Sequence, residues 1–464
     1  MSYPDCIGII LRQIEPTPDE RRKISKKAEE IKTLIERNIV EATGDEAVKV
    51  EYHGSFRHDT WLSGQADLDL FILFPKKYTL EEMDEFVRRT AYKVAKNVNA
   101  FVEERYASHP YYTLLLKDGL EVDLVPAYRV FSSEEVTTPV DRTQLHTEYL
   151  QRVLSERQYL KDEIRIFKKL LINLNIYGAE QSVHGFSGYL AEVLITYFGG
   201  LERLLLEASS WKPGRIHIPP IPEARRFFKG QPIVVIDPTD SRRNAAASVG
   251  LEALSKLILV AKLFSENKDI ICCLLNPPRL TASAEDLLPI LNSANVIVAV
   301  ATHYPKMPED ALMAKLQRIA RRVSNAVETL GFRILRVNVG RVKGLPSIWL
   351  QLESSSLPST FIHWGPPIWH QNALHFARKW ITRQLAPIIL NERLAVIRSR
   401  VSIDAKHYLS KILLSHEEFS WEIFYLKDLV SSLSEKETLD IYKWLTGMED
   451  WTMCILARNP CLEQ

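Results

Sequence analysis

The stretch Gly54-Ser55-Phe56-Arg57-His58-Asp59-Thr60-Trp61-Leu62-Ser63-Gly64-Gln65-Ala66-Asp67-Leu68-Asp69-Leu70-Phe71-Ile72-Leu73-Phe74-Pro75 decides how the rest of this sequence is read. Leu68, Leu70, Ile72 and Phe74 alternate, which predicts a half-buried strand, and side chains two apart on a strand point to the same face. Asp67 and Asp69 therefore project together, about 7 Å apart. Such a pair calls for a cation, and its spacing suits the metal ions that clamp oxygens in phosphoryl transfer. Just upstream, the Gly54-Ser55 turn offers backbone N–H groups and a hydroxyl to a phosphate.

A third carboxylate arrives later. Tyr111–Lys117 and Leu120–Val125 read as two strands joined at Asp118-Gly119, a dipeptide that tolerates the positive φ of a tight hairpin. On the second of these, Glu121 and Asp123 share one face. If that strand lies beside Asp67–Phe74, Asp123 joins the same site. Three carboxylates on strands that otherwise read as core need compensation, because an unpaired buried carboxylate is costly. An all-oxygen donor set of Asp67, Asp69 and Asp123 favours Mg²⁺ over zinc.

The chain has 464 residues, 46% hydrophobic and 25% charged, which suits two to four domains of ordinary globular kind. A formal net charge of +1 leaves any nucleic acid to local basic faces. Apolar runs such as Val296–Ala301 are far shorter than the roughly 20 residues of a membrane span, so no membrane association is expected. Met1–Asp5 lacks the basic start of a secretory signal. The five cysteines, Cys6, Cys272, Cys273, Cys454 and Cys461, show neither metal-ligand nor disulfide spacing and read as inert thiols in a reducing cytoplasm.

Thr17-Pro18-Asp19-Glu20 predicts a helix start with a capping box, and Thr79 with Glu82 predicts another. From Thr147 the pattern turns helical, over Tyr149–Leu174 and Phe186–Glu207. A short strand, Pro232–Ile236, should run through Asp237-Pro238-Thr239-Asp240 into an alanine-rich helix. Beyond Leu263 the segments alternate: helix at Leu287–Leu291, strand at Val296–Ala301, a basic helix at Ala311–Leu330, strands at Phe332–Val339 and Ser347–Leu352. Gly365-Pro366-Pro367 should close this body, with helical segments after it around the basic stretch Arg393–Arg400. Phe419, Trp421, Phe424 and Tyr425 read as core.

Taken together, Gly-Ser, a following strand with Asp-x-Asp and a third Asp on a further strand resemble the DNA polymerase β-like nucleotidyltransferases. The surrounding words narrow this. His109-Pro110-Tyr111, Val122-Asp123-Leu124-Val125-Pro126-Ala127-Tyr128, Asp141-Arg142-Thr143 with His146, Ile176-Tyr177-Gly178-Ala179-Glu180, Gly185-Phe186-Ser187-Gly188-Tyr189-Leu190 and Asp237-Pro238-Thr239-Asp240 with Arg243-Asn244 resemble the archaeal, class I CCA-adding enzymes. The likeness is dense to about residue 247 and thin beyond.

The resemblance implies a multidomain α/β (α+β) enzyme: a catalytic head with a mixed sheet over residues 1–146, a helical neck over 147–258, an α+β body over 259–385 and a tRNA-binding tail over 386–464. It implies addition of C-C-A to the 3′ end of tRNA from CTP and ATP, with release of pyrophosphate and with Asp67, Asp69 and Asp123 binding two Mg²⁺. Asp123 would also help take the proton from the primer hydroxyl. Ser55, His146, Lys168 and Tyr177 fall at the family's sugar and triphosphate contacts, and Arg243 at an arginine that reads the base beside the tRNA backbone. Three residues after Ser55 the family usually carries a triphosphate-binding arginine; here that position is His58, with Arg57 one place earlier, so either Arg57 swings in, His58 serves when protonated, or nucleotide affinity is weaker. The family also often has Glu where Asp67 stands. Basic clusters at Arg318, Arg321 and Arg322 and at Arg333, Arg336, Arg341 and Lys343 suit phosphate contacts. The partners implied are the acceptor stem and 3′ end of tRNA, with a homodimer left open. The rival readings are a poly(A)- or 2′-5′-oligoadenylate-type synthase and a catalytically silent RNA-binding relative.

Overall fold

The five strands of the first sheet run in the order β1-β2-β5-β4-β3, with β1 at Lys49–His53, β2 at Asp67–Phe74, β3 at Phe101–Tyr106, β4 at Pro110–Leu115 and β5 at Glu121–Tyr128. The coordinates are a computed structural model that describes residues 3–106, 109–180, 183–220 and 228–456. β2 and β5 pair in parallel and the other neighbours antiparallel, so the sheet is mixed as expected. Helix α1 spans Tyr3–Ile14 and α2 spans Pro18–Thr43. A short α3, Gly54–His58, follows β1, and α4 spans Leu80–Val98. Leu68, Leu70, Ile72 and Phe74 of β2 and Val122 and Leu124 of β5 pack against Ile31 and Ile35 of α2 and Val87 and Val94 of α4. The opposite face of the same strands carries Asp67, Asp69 and Asp123 at one end and Phe71, Leu73, Val125 and Ala127 at the other. Period-2 alternation thus sends the carboxylates away from the helices.

Caps fix where helices begin. Thr79 and Glu82 form the expected reciprocal box. Thr17 accepts from Glu20 N, but the Glu20 carboxylate instead accepts from Ser63 Oγ (2.7 Å) and Gly64 N (2.7 Å), tying α2 to the loop before β2. The predicted helical stretch Tyr149–Leu174 divides into α5 (Arg142–Glu156) and α6 (Leu160–Asn173), and Phe186–Glu207 into α7 (Gly188–Phe198) and α8 (Leu201–Ala208). The second break lies at Gly199-Gly200, both at positive φ.

A three-stranded sheet of β6 (Ile216–Ile218), β7 (Ile233–Asp237) and β8 (Asp240–Asn244) follows. Here the structure corrects the expected helix after Asp237. The Asp237 carboxylate accepts from Thr239 N (2.9 Å) and Thr239 Oγ1 (2.8 Å), a local turn that folds β8 back on β7. The next helix starts only at Leu251, running to Glu266. The stretch Trp211–Pro222, which the sequence reads as a proline-rich loop, lies partly outside the described residues.

The cysteine reading is also corrected. Cys6 of α1 is bonded to Cys272 and Cys273 to Cys454, so four of the thiols are paired, while Cys461 lies outside the described residues. Sequence separations of 266 and 181 residues hid this pairing from any local spacing rule.

The chain divides into two compact units, residues 1–278 with 450–464, and residues 279–449. The second has a four-stranded sheet in the order β10-β11-β9-β15: β9 at Asn295–His303, β10 at Ile334–Val342, β11 at Leu345–Leu352 and β15 at Ser420–Tyr425. Helices Glu309–Thr329 and Ala405–Leu413 cover one face; Ala284–Ser293 and Glu435–Thr446 cover the other. Between β11 and β15 the chain forms a small sheet of β12 (Thr360–Pro367), β13 (Ile388–Leu390) and β14 (Arg393–Ser399) beside helix Ala373–Ile381. Gly365-Pro366-Pro367 is therefore part of a strand rather than a terminator, and a Cβ at Gly365 would press on the Phe376 ring. Arg393–Ser399 is likewise a strand. A division at 258/259 would cut helix Leu251–Glu266, and one at 385/386 would part β13 and β14 from β12 and assign β15 away from its partner β9. Phe419 is buried, and Trp421 packs in the same core, as expected.

Candidate active site

Asp69 lies directly opposite Asp123 in the β2/β5 register, and Asp67 opposite Glu121. Gly54 begins α3 at φ 63, where any Cβ would overlap the Asp69 carboxylate, so glycine is needed both for conformation and for the close approach. Ser55, His58, Asp67, Asp69, Asp123, His146, Lys168 and Tyr177 line one cavity of about 340 Å³. Eight of the ten residues predicted for the site meet there.

Burial, then the neighbouring Asp123 and Asp67, push the Asp69 carboxyl up to about 7. Asp67 is raised by burial and by Glu121 and Asp123. Burial raises Asp123 too, against the opposing hydrogen bond from Thr113 Oγ1 (2.5 Å). Arg105, on the cavity wall, donates to Glu121 Oε2 (3.0 Å). Among the described residues no three acidic, histidine or cysteine side chains converge into a ready ligand sphere. The donor set nevertheless fits a hard divalent ion, since oxygen ligands crowded at one strand end are relieved only by positive charge.

The other wall comes from α6 and α7. Glu192 of α7 is buried, and its Oε1 accepts from Lys168 Nζ (2.9 Å) and Thr60 Oγ1 (2.5 Å) while Oε2 accepts from His58 Nδ1 (3.1 Å). Burial opposes ionisation of Glu192, but Lys168, His58 and Thr60 hold its carboxyl well below the usual range. Lys168 also donates to Thr60 O (3.3 Å) and Thr60 Oγ1 (3.1 Å), so its three donors are all engaged.

At the rim, Asp237 gathers three of the family-like residues. Its Oδ2 accepts from His146 Nε2 (3.0 Å) and Arg243 Nη1 (2.5 Å), and its Oδ1 from Tyr189 OH (2.8 Å). The His146 and Tyr189 rings stack with centroids 3.7 Å apart. Burial would raise Asp237, but the His146 and Thr239 hydrogen bonds keep it low. Burial lowers His146, which Asp237 partly offsets. Arg243 itself faces an adjoining cavity of about 830 Å³ with Arg142 and Arg242.

Arg57 is the predicted residue that the structure takes elsewhere. On α3 it follows Ser55 by two positions, which turns it to the other side of the helix, into a separate cavity with Tyr52, Phe56 and Arg129. Glu192, Asp237 and Tyr189 were missed as site residues. A lone Glu192 in an otherwise apolar, uncharged helix was the available signal.

Residues 19–160 match the nucleotidyltransferase domain, residues 162–272 the second domain of tRNA nucleotidyltransferase, and residues 293–422 the C-terminal domain of CCA-adding enzyme. The chain is 34% identical to the CCA-adding enzyme of Pyrobaculum islandicum over 86% of this chain and 91% of the relative. It is 32% identical to that of Methanothermobacter thermautotrophicus over 91% and 87%. To that of Saccharolobus islandicus it is 29% identical over 95% and 98%.

Proposed function

From the premise that this chain belongs to the CCA-adding enzyme family, we propose how its own residues perform nucleotidyl transfer onto tRNA. The enzyme adds C-C-A to the 3′ end of tRNA from CTP and ATP, releasing pyrophosphate. The observation that carries the residue assignment is the direct β2/β5 pairing of Asp69 with Asp123, with Gly54 packed against Asp69.

Asp67, Asp69 and Asp123 would hold divalent metal, which we take to be Mg²⁺ and which when bound would supply positive charge to the transferring phosphoryl group. Asp123 is placed to accept the proton of the tRNA 3′ hydroxyl, with Thr113 holding its other side. Ser55 and His58 face the triphosphate, and Tyr177 and His146 the sugar. Lys168, with its donors engaged, lends the triphosphate a positive field rather than a direct hydrogen bond. Arg243, held by Asp237, is presented toward the base and the tRNA backbone, where a planar fork can bond both. Arg321 and Arg322, exposed on helix Glu309–Thr329, are offered as phosphate contacts. A cytoplasmic location accords with tRNA as substrate. Among the described residues no helix is long and apolar enough to cross a membrane.

The test is incorporation of labelled CTP and ATP with Mg²⁺ onto tRNA transcripts ending before C, CC and CCA, resolved to single nucleotides. Ordered C, C, A addition that then stops is expected. Long A-tails would move the activity to a polymerase-type sibling, and no addition despite tRNA binding would leave only an RNA-binding role.

A further inference from the structure

His58 and Lys168 both face the nucleotide cavity, but their donors are disposed differently. All three Lys168 donors are engaged by Glu192 and Thr60. His58 uses only Nδ1, on Glu192; its Nε2 is buried without a hydrogen-bond partner. A buried ring nitrogen with no partner costs stability unless something else meets it. The cavity that His58 lines also contains Ser55 and the three carboxylates.

We infer that Glu192 is a positioning residue for nucleotide binding: it fixes the His58 ring through Nδ1 so that Nε2 meets an oxygen of the triphosphate, and Lys168 with Thr60 holds the carboxylate that does so. The inference rests on the nucleotide reading of this cavity and deepens it, because it names which of the two basic side chains touches the ligand. The clamp explains two otherwise costly features. Glu192 is a fully buried carboxylate on an apolar helix, tolerable because Lys168, His58 and Thr60 satisfy both oxygens. Lys168 is buried with all its donors used, as the counter-charge in that clamp. Glu192 is an acceptor only, so its bond fixes Nδ1 as the protonated nitrogen. Nε2 then meets a triphosphate oxygen as the second donor of the ring.

The experiment measures binding of ATP, AMP and inorganic tripolyphosphate, with Mg²⁺, to the full-length protein and to His58→Gln, Glu192→Gln and the double variant. The inference expects each single variant to weaken ATP and tripolyphosphate about tenfold, the worth of one charge-assisted hydrogen bond, and AMP by less than about twofold. The double variant should be no weaker than either single one. Equal losses for AMP and ATP, or losses that multiply in the double variant, overturn it. Because Glu192→Gln leaves Lys168 buried without its counter-charge, a second measurement uses the unaltered chain labelled with ¹⁵N-histidine. Here the His58 resonances, assigned by their loss in His58→Gln, should move on adding ATP or tripolyphosphate and stay in place with AMP; an Nε2 signal indifferent to ATP overturns the inference. Failure of the unaltered protein to bind ATP at all would instead remove the nucleotide reading beneath it.

Discussion

Asp69 and Asp123 occupy the same rung of two adjacent parallel strands, and the backbone of Gly54 presses on the first of them. Two carboxylates on one rung, with Asp67 two residues away on the same face, concentrate negative charge where a cation must sit for both to ionise. Replacing any of the three by Asn keeps shape and removes a charged ligand. Each of Asp67→Asn, Asp69→Asn and Asp123→Asn should lower nucleotide incorporation by about a thousandfold or more, roughly 4 kcal/mol of transition-state stabilisation, with tRNA retention on filters unchanged. Near-normal addition by any one of them would sink its assignment as a metal ligand.

The raised Asp69 carboxyl has a stability consequence with a definite sign. Its folded value of about 7 lies above an unfolded value near 3.8, so between those limits the native chain holds a proton that the unfolded chain has released. Without metal, stability should therefore be greatest at the acid end of that window and fall as pH rises toward 7, by up to about 1.4 kcal/mol per unit. Mg²⁺ should flatten the fall. Urea midpoints at several pH values, in EDTA and in MgCl₂, measure this, with Asp69→Asn as control; an identical slope in that variant would show that another group is responsible.

Asp237 ties His146, Tyr189 and Arg243 into one rim, so the guanidinium is aimed rather than free. Arg243→Ala should blur the choice among CTP, ATP, UTP and GTP more than it weakens tRNA binding. Asp237→Asn, which keeps a polar group but loses the charge, should move selectivity in the same direction through Arg243. Competition assays with all four nucleotides decide: unchanged preference in both variants would mean that this rim does not read the base.

Local pattern carried the reading of the catalytic strands because their chemistry is written in short range. Alternation predicted β2, Asp118-Gly119 predicted the turn before β5, and the carboxylates followed by parity. Three things escaped, two because local geometry overrode the pattern and one because its partners lie far apart in sequence. Arg57 is sent away from the site by the rotation of a five-residue helix that a strand-and-turn reading did not foresee. The β7–β8 hairpin arises from side-chain bonds of Asp237 and Asn244 that override the helix propensity of Ala245–Ala247. The clamp around Glu192 joins residues more than a hundred positions apart.

Cys272 and Cys273 are neighbours on one short helix, Ile270–Leu275, yet they reach in opposite directions along the chain, one to α1 and the other to Cys454. Both ends of the described chain are thereby fastened to the same helix. In α1, Ile14 O accepts from Ser63 N (2.8 Å), and Leu62 shares a core with Cys6, Ile10 and Ile14, so the loop after α3 leans on a covalently held element. Closing loops of this length restricts the unfolded chain, at roughly 2–4 kcal/mol per bridge. The unreduced protein, unfolded in denaturant, should expose one titratable thiol, that of Cys461. Reductant, or Cys6→Ser with Cys454→Ser, should lower the melting temperature by several degrees and shorten survival on heating, while addition of C-C-A at 25 °C persists because, among the described residues, no cysteine lines the nucleotide cavity. Five thiols in the unreduced protein, or a melting curve indifferent to reductant, would show that the bridges do not hold the chain ends.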